Sequence, residues 1–454
     1  MLAITSQSFW MDEAGGAFKS LTPGFSNWVS TMFRFGGSDV QMPFYMCGLW
    51  LWHRLGFISE YGFRLINIPF LILMVLALKR VRFWPLVCLT SPFLIYYVGE
   101  LRPYTMQMAA GSLAALGIFR IIDGKRNGQE LSGLHTTAAG CFLLCASSLS
   151  AAVFALGIAC AVAIIRPDWI RKKIFWLRSI PWMVSASILA AYFIYTLLEG
   201  HRAASTGGSL LSMGFGFYEM IGLVGLGPSR DMIRENPSIV LRSLPWLLPA
   251  TLIIFFAWLI GAFSAYRSTT PRERIAIIVA VALPLLVLAV TSLVAQFQVL
   301  GRHLSPAIPA LLLPVATCLS GNFPKKIPAI SIGSAAILIS LTSALLIRFN
   351  PIHFRDDYRT ASHLAIALLD ENQTILWKAD TAAPSYYAYR KNRASLTDTF
   401  MALESHPPAI ESADCVIINR PDLRFPSINH KTYLLENGFT LTETPKGFEI
   451  WKTP

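Results

Sequence analysis

Residues 275–297 read IAIIVAVALPLLVLAVTSLVAQF, a run of twenty-three positions without a charged side chain. At about 1.5 Å per residue a helix of this length crosses the roughly 30 Å hydrocarbon layer of a bilayer. A strand of a membrane barrel is about ten residues long and alternates in polarity, so a continuous apolar run of this kind excludes a barrel. Outward from it, similar runs occupy 62–79, 83–98, 104–121, 134–148, 150–165, 175–199, 241–266, 304–320 and 327–348. The chain of 454 residues is 54% hydrophobic and 14% charged, against about a quarter charged for a soluble protein. The fold class expected is a polytopic α-helical membrane protein of about ten to eleven helices.

The net charge of +12 invites a nucleic-acid reading, but the basic residues gather in short loops between the apolar runs, which is a topology signal. Lys79-Arg80-Val81-Arg82, Lys125-Arg126, 166–173, 267–274 and Lys325-Lys326 fall on one side. By the positive-inside rule that side is the cytoplasm. Residues 1–61, 99–103, 200–240, 296–303 and everything after Arg348 then lie outside it. This places the protein as multi-pass in a membrane, with its functional loops outside the cytoplasm. Residues 43–57, PFYMCGLWLWHRLGF, are short, and Trp50, Trp52, His53 and Arg54 suit an interface. The segment is read as a helix lying in or dipping into the outer leaflet, with a short span as the alternative. Residues 1–61 must cross the membrane although no apolar helix precedes them, so a first helix upstream of Met1 is expected.

The tail is of different material. Residues 357–369 read as an amphipathic helix, 374–378 and 415–419 as short buried strands, and 431–437 as a helix. Residues 439–442 and 448–451 read as a hairpin around Pro445-Lys446-Gly447. The domains expected are 1–349, the transmembrane domain, and 350–454, a small extracytoplasmic α/β domain. The glycine-rich segment 200–240 reads as a long flexible loop, too irregular for a phosphate loop. Of the seven cysteines only Cys415 lies in the tail. There is no CxxC, and Cys141 and Cys145 read as packing rather than metal-binding.

Two adjacent carboxylates, Asp12 and Glu13 in SFWMDEA (8–14), stand beside all this apolar sequence, where entering the bilayer would be costly. They are the leading candidates for chemistry. Helix capping by Ser8 or Asp12 explains one acidic residue but not the pair. The other extracytoplasmic candidates are Lys19, Asp39, Gln41, Glu100, Arg102, Tyr104, Arg302 and His303. For Arg102 and Arg302 snorkelling at a span end is the plain alternative; a planar guanidinium is also suited to gripping phosphate. For His303 the plain alternative is an interfacial position.

The stretch Ser8-x-Trp10-x-Asp12-Glu13-Ala14 resembles the first extracytoplasmic loop of the GT-C superfamily of membrane glycosyltransferases. More narrowly it resembles the bacterial branch related to protein O-mannosyltransferases and lipid A aminoarabinose transferases. Gln41-Met42-Pro43-Phe44-Tyr45, Leu49-Trp50, Leu55-Gly56, Ser59-Glu60 and Phe63-Arg64-Leu65 continue the likeness. So do Ser91-Pro92-Phe93, Tyr96-Tyr97, Glu100, Arg102 and Tyr104, and late in the chain Arg302, Pro306 and Pro309. Motif-level similarity covers about residues 8–121 and 300–315; the middle is similar only in hydropathy. Two departures stand out: the family's first transmembrane helix is absent, and Met42-Pro43 replaces Pro-Pro. Gln41 stands where some relatives carry a basic residue that contacts the donor phosphate.

The resemblance implies a sugar donor on a polyprenyl phosphate and an acceptor that is a glycolipid, a polysaccharide or a protein. Asp12 is then the base for the acceptor proton, or the group orienting the acceptor, with Glu13 as helper or sugar ligand. Arg102, Arg302 and His303 neutralise the departing phosphate. A single carboxylate acting in a direct displacement implies inversion at the anomeric carbon. No metal or other cofactor is expected, since a carboxylate pair is a thin site for a cation that wants six or more oxygens. The partners implied are membrane lipid and the lipid-linked sugar, not nucleic acid. The alternatives are a lipid-linked sugar transporter, disfavoured because polar residues collect at span ends rather than mid-span, and a catalytically degenerate scaffold of envelope assembly. Tyr386, Tyr387 and Tyr389 are either sugar-stacking surfaces or domain core.

Overall fold

A computed structural model describes residues 4–127, 130–201, 208–321, 326–405, 407–420 and 429–453; Lys325 and positions 202–207 of the glycine-rich segment lie outside them. Among the described residues seven helices are long and apolar enough to cross a membrane: Glu60–Ala77, Tyr104–Gly124, Lys173–Leu198, Ile239–Ser268, Pro271–Val294, Gly301–Leu319 and Ile327–Phe349. Leu131–Ser147 and Leu149–Ile165 are apolar but shorter. The apolar run 275–297 lies in the helix Pro271–Val294 as far as Val294. Its start is fixed by a capping box in which Thr270 Oγ1 accepts from the Glu273 amide and Glu273 accepts from the Thr270 amide at 2.8 Å, with Pro271 at the first helical position.

The expected span 83–98 is instead two short helices, Trp84–Thr90 and Pro92–Val98. The cause is Pro92, which has no amide to donate and drives the preceding residue out of the helical region. Ser91 accordingly has φ −67° and ψ 119°, and its hydroxyl caps the second helix by accepting from the Leu94 amide at 3.4 Å. Residues 43–57 contain the helix Pro43–Arg54, at about 1.5 Å per residue only some 18 Å long and too short to cross a bilayer upright.

The chain forms two compact units. The larger contains Met32–Gly48 and Arg64–His353. Its helices approach closely where side chains are small: a Cβ on Gly140 would stand 2.6 Å from the Ala114 amide nitrogen, so only glycine lets Glu130–Ser147 lie against Tyr104–Asn127. Some buried polar side chains in this unit satisfy one another across helices. Gln107 donates to Ser148 Oγ at 2.9 Å and accepts from Ser305 Oγ at 2.5 Å, tying three helix ends together.

The smaller unit is not the tail alone: it contains Thr5–Thr31, Leu49–Phe63 and Phe354–Pro454. Its sheet has the order β1-β2-β4-β3, from β1 (Ile375–Lys378), β2 (Cys415–Asn419), β3 (Thr440–Glu443) and β4 (Phe448–Lys452). β1 and β2 run parallel; β2–β4 and β3–β4 are antiparallel. The amphipathic helix is present as Tyr358–Asp370 and the later one as His430–Glu436, and 440–452 forms the expected hairpin. Two further helices, Ala382–Arg390 and Leu396–Ser405, separate β1 from β2. The first supplies aromatic core: Tyr386 and Tyr387 are buried, while Tyr389 is exposed. Phe9 packs 5.1 Å from the Tyr386 ring and 6.3 Å from Phe63, so the N-terminal stretch is part of this core. That decides the alternatives left open for Tyr386 and Tyr387 in favour of core.

Candidate functional site

Within the smaller unit the acidic pair opens the helix Met11–Ser20. Asp12 is half-buried. Glu13 is fully buried, pairs with Arg355, and accepts from the Trp10 amide at 3.4 Å. That last bond is the acidic half of a capping box, so Glu13 satisfies a helix end as well as an ion pair. Lys19, in the last turn of the same helix, is also buried. A second acidic centre lies beside them. Glu60 pairs with Arg359, whose Nε donates at 3.0 Å, and accepts from the Tyr387 hydroxyl. Burial, then the Glu60 carboxylate, push the Tyr387 phenol well above its ordinary range. Ser8 Oγ accepts from the Arg359 amide at 2.9 Å. Arg355 and Arg359 fall outside the sequence-derived candidates. Both precede or open the amphipathic helix of the tail, 342 and 299 residues from their respective partners, and no local pattern links them.

The larger unit brings together the loops that the charge alternation puts on one side. Arg102, 3% exposed, pairs with Asp39 and donates to Ser38 Oγ at 3.0 Å. Gln41 donates to the His201 carbonyl at 2.8 Å, and the Val40 carbonyl accepts from Tyr192 at 2.6 Å. Glu100 is buried, and its backbone carbonyl accepts from Asn67 Nδ2 at 2.6 Å. Tyr104 is buried with its ring edge-on to Tyr97 at 5.0 Å. Arg302 and His303 are half-buried; His303 Nδ1 accepts from the Leu300 amide at 3.0 Å, which leaves Nε2 as the ring's donor position.

The segment 208–240 corrects the reading of a long flexible loop. It folds into the helices Leu210–Ile221 and Arg230–Glu235, capped by Ser209 and Ser229. Gly222, with φ +86°, ends the first in the left-handed conformation that glycine adopts without strain. Ser343 accepts from the Gly225 amide at 3.1 Å and donates to the Gly222 carbonyl at 2.5 Å, fastening the turn to the helix Lys326–Phe349. The segment also carries a buried ion pair absent from the sequence candidates. Glu219 Oε1 lies 2.5 Å from Arg230 Nε, and Glu219 Oε2 accepts from the Gly301 amide at 2.9 Å. Burial pushes the Glu219 carboxyl above its ordinary range, while Arg230, the Gly301 amide and Arg302 pull the other way. Arg230 donates to the Tyr97 hydroxyl at 2.7 Å and lies 4.0 Å over the Tyr96 ring. Among the described residues no group of three or more His, Cys, Asp and Glu side chains converges as a metal site.

Long apolar helices, a shorter pair divided at Ser91-Pro92, and a small α/β unit make up a polytopic helical membrane fold of the GT-C type. In particular the chain is similar to ArnT from Cupriavidus metallidurans. The apo crystal structure matches with a TM-score of 0.52 and 11% identity over 99% of this chain and 94% of that one. The structure of ArnT bound to undecaprenyl phosphate matches with a TM-score of 0.51 and 11% identity over 99% of this chain and 95% of that one. At that identity the likeness establishes the fold, over essentially the whole chain. No family model and no curated protein matches the sequence.

Proposed function

We propose that this protein transfers a sugar from a polyprenyl phosphate to an acceptor on the outer side of the membrane. The observation that carries the reading is the likeness of the whole chain to ArnT, one of whose structures holds undecaprenyl phosphate. The cationic loops of the larger unit add to it, since a departing lipid phosphate needs fixed positive charge in a site of low polarity. Arg302 is the first candidate for that charge. Arg102 is the second, although Asp39 and Ser38 already engage its guanidinium, so a phosphate there would have to share it.

On the acceptor side Asp12 is the proposed base. The acceptor oxygen attacks the anomeric carbon, its proton passes to the Asp12 carboxylate, and the bond from that carbon to the phosphate oxygen breaks with the electron pair leaving on the phosphate. One displacement of this kind inverts the anomeric centre. Glu13, buried against Arg355, is better placed to hold the start of its helix than to take a proton.

The test is transfer itself. The purified protein, reconstituted with a labelled polyprenyl-phosphate sugar and an envelope extract, is expected to release polyprenyl phosphate and label one class of glycolipid, polysaccharide or protein. Mass spectrometry identifies the product. Movement of the labelled lipid across the bilayer with no transfer product would instead make the protein a transporter.

A further inference from the structure

The helix Leu210–Ile221 and the turn Gly301–Ala307 meet at two glycines: a Cβ on Gly216 would lie 3.1 Å from the Gly301 nitrogen, and one on Gly301 only 2.5 Å from Glu219 Oε2. This closeness lets a buried carboxylate reach a backbone amide immediately before Arg302. The same carboxylate holds Arg230 with its other oxygen. Arg230 is itself fixed on two further sides, by the Tyr97 hydroxyl and the Tyr96 ring. Its side chain is nevertheless 29% exposed, whereas Arg102 is 3% exposed. Of Arg102 and Arg230, Arg230 is therefore the one an incoming anion can reach without breaking the fold open.

We propose that Glu219 is a positioning residue: it holds Arg230 and the turn bearing Arg302 as one paired cationic cradle, and the cradle takes the phosphate of a lipid-linked donor. The inference rests on the glycosyl-transfer reading. The geometry supplies a preorganised guanidinium on Arg230, and Arg302 directly follows the Gly301 amide that Glu219 accepts from. A phosphate in the cradle adds an anion beside two arginines and one carboxylate, replacing a net positive charge by near neutrality. Glu219 touches no reacting atom in this scheme; it acts through the two cations.

Binding of undecaprenyl phosphate and of undecaprenol, the same lipid without the phosphate, distinguishes the outcomes without knowledge of the sugar. Wild-type protein in mixed micelles is expected to prefer the phosphate. E219Q and R230Q should each weaken phosphate binding by about tenfold, the equivalent of one charge-assisted hydrogen bond, and leave undecaprenol binding unchanged. A purely structural role would weaken both lipids together. R230K, which keeps the charge but loses the fork, should fall between wild type and R230Q. A wild type that does not discriminate the two lipids overturns the donor reading and this inference with it. Discrimination that survives intact in E219Q and R230Q overturns the inference alone. If E219Q does not fold, R230K and R230Q decide: affinities equal to wild type reject the cradle.

Discussion

The guanidinium of Arg355 is bonded to the carboxylate of Glu13, the fully buried third residue of the helix Met11–Ser20. The two residues lie 342 positions apart, and both are nearly removed from solvent. The bond makes the adjacent acids unequal: one is committed to holding a helix end, and the other is left half-buried.

Arg355→Ala removes the partner and keeps the buried carboxylate. Losing one member of such a pair costs about 3–5 kcal/mol. The expected outcome is a lower melting temperature in detergent, with much of the loss recovered when Glu13→Gln is added. Identical melting curves for Arg355→Ala and the unmodified protein would show that the bond does not stabilise the unit.

Asp12→Asn keeps the shape of the side chain and its place in the first turn, but removes the proton acceptor. Transfer should fall by about 10²- to 10⁴-fold, the usual contribution of a general base, with unchanged yield and melting temperature. Activity close to that of the unmodified protein excludes Asp12 as the base.

Asp39 and Arg102 form a pair buried on both sides. Arg102→Ala is expected to reduce the yield of folded protein, because it strands a carboxylate at a cost of about 3–5 kcal/mol. Asp39→Asn, which can still accept a hydrogen bond, should be milder, at about 1 kcal/mol. Size-exclusion profiles and thermal unfolding measure both. If Arg102→Ala folds normally and only donor affinity falls, the arginine is a ligand group rather than a structural one.

Gly301→Ala places a methyl group 2.5 Å from Glu219 Oε2 and 3.0 Å from the Gly216 carbonyl. Overpacking of this kind costs about 1–3 kcal/mol. The expected signature is a modest drop in melting temperature together with a raised KM for the lipid-linked donor. An unaltered donor KM separates this glycine from donor capture.

Dialysis against a chelator should leave the transfer rate unchanged, since the adjacent carboxylates offer too few oxygens for a hard cation and Glu13 is already bound to Arg355. Loss of activity restored by a divalent ion would reverse this expectation.

The helices are legible in the sequence because length and apolarity are local properties. The break at Ser91-Pro92 is local too, and its proline is visible in the run 83–98; hydropathy averaging hides it. The strands of the tail are legible from short apolar runs, and Cys415–Asn419 has the bounds expected of it. What the sequence hides is pairing at long range. Glu219 meets Gly301 across 82 positions, and Arg359 meets Glu60 across 299. Nothing near either residue announces its partner. The glycines of 208–240 mislead for a related reason: they read as flexibility, whereas Gly225, which donates to Ser343, and Gly216, set against Gly301, allow close packing that becomes visible only when the opposite surface is known.

The smaller unit joins Thr5–Thr31 and Leu49–Phe63 to a tail that begins only at Phe354. During synthesis the first of these segments leaves the ribosome about 320 residues ahead of its packing partners. At roughly 5–20 residues per second that is an interval of some tens of seconds. Throughout it Phe9, the aromatic residue later enclosed by Tyr386 and Phe63, waits without Tyr386. The N-terminal stretch can therefore complete its packing only after Tyr386 has been made, and a nascent polypeptide halted before Phe354 leaves Phe9 without that partner.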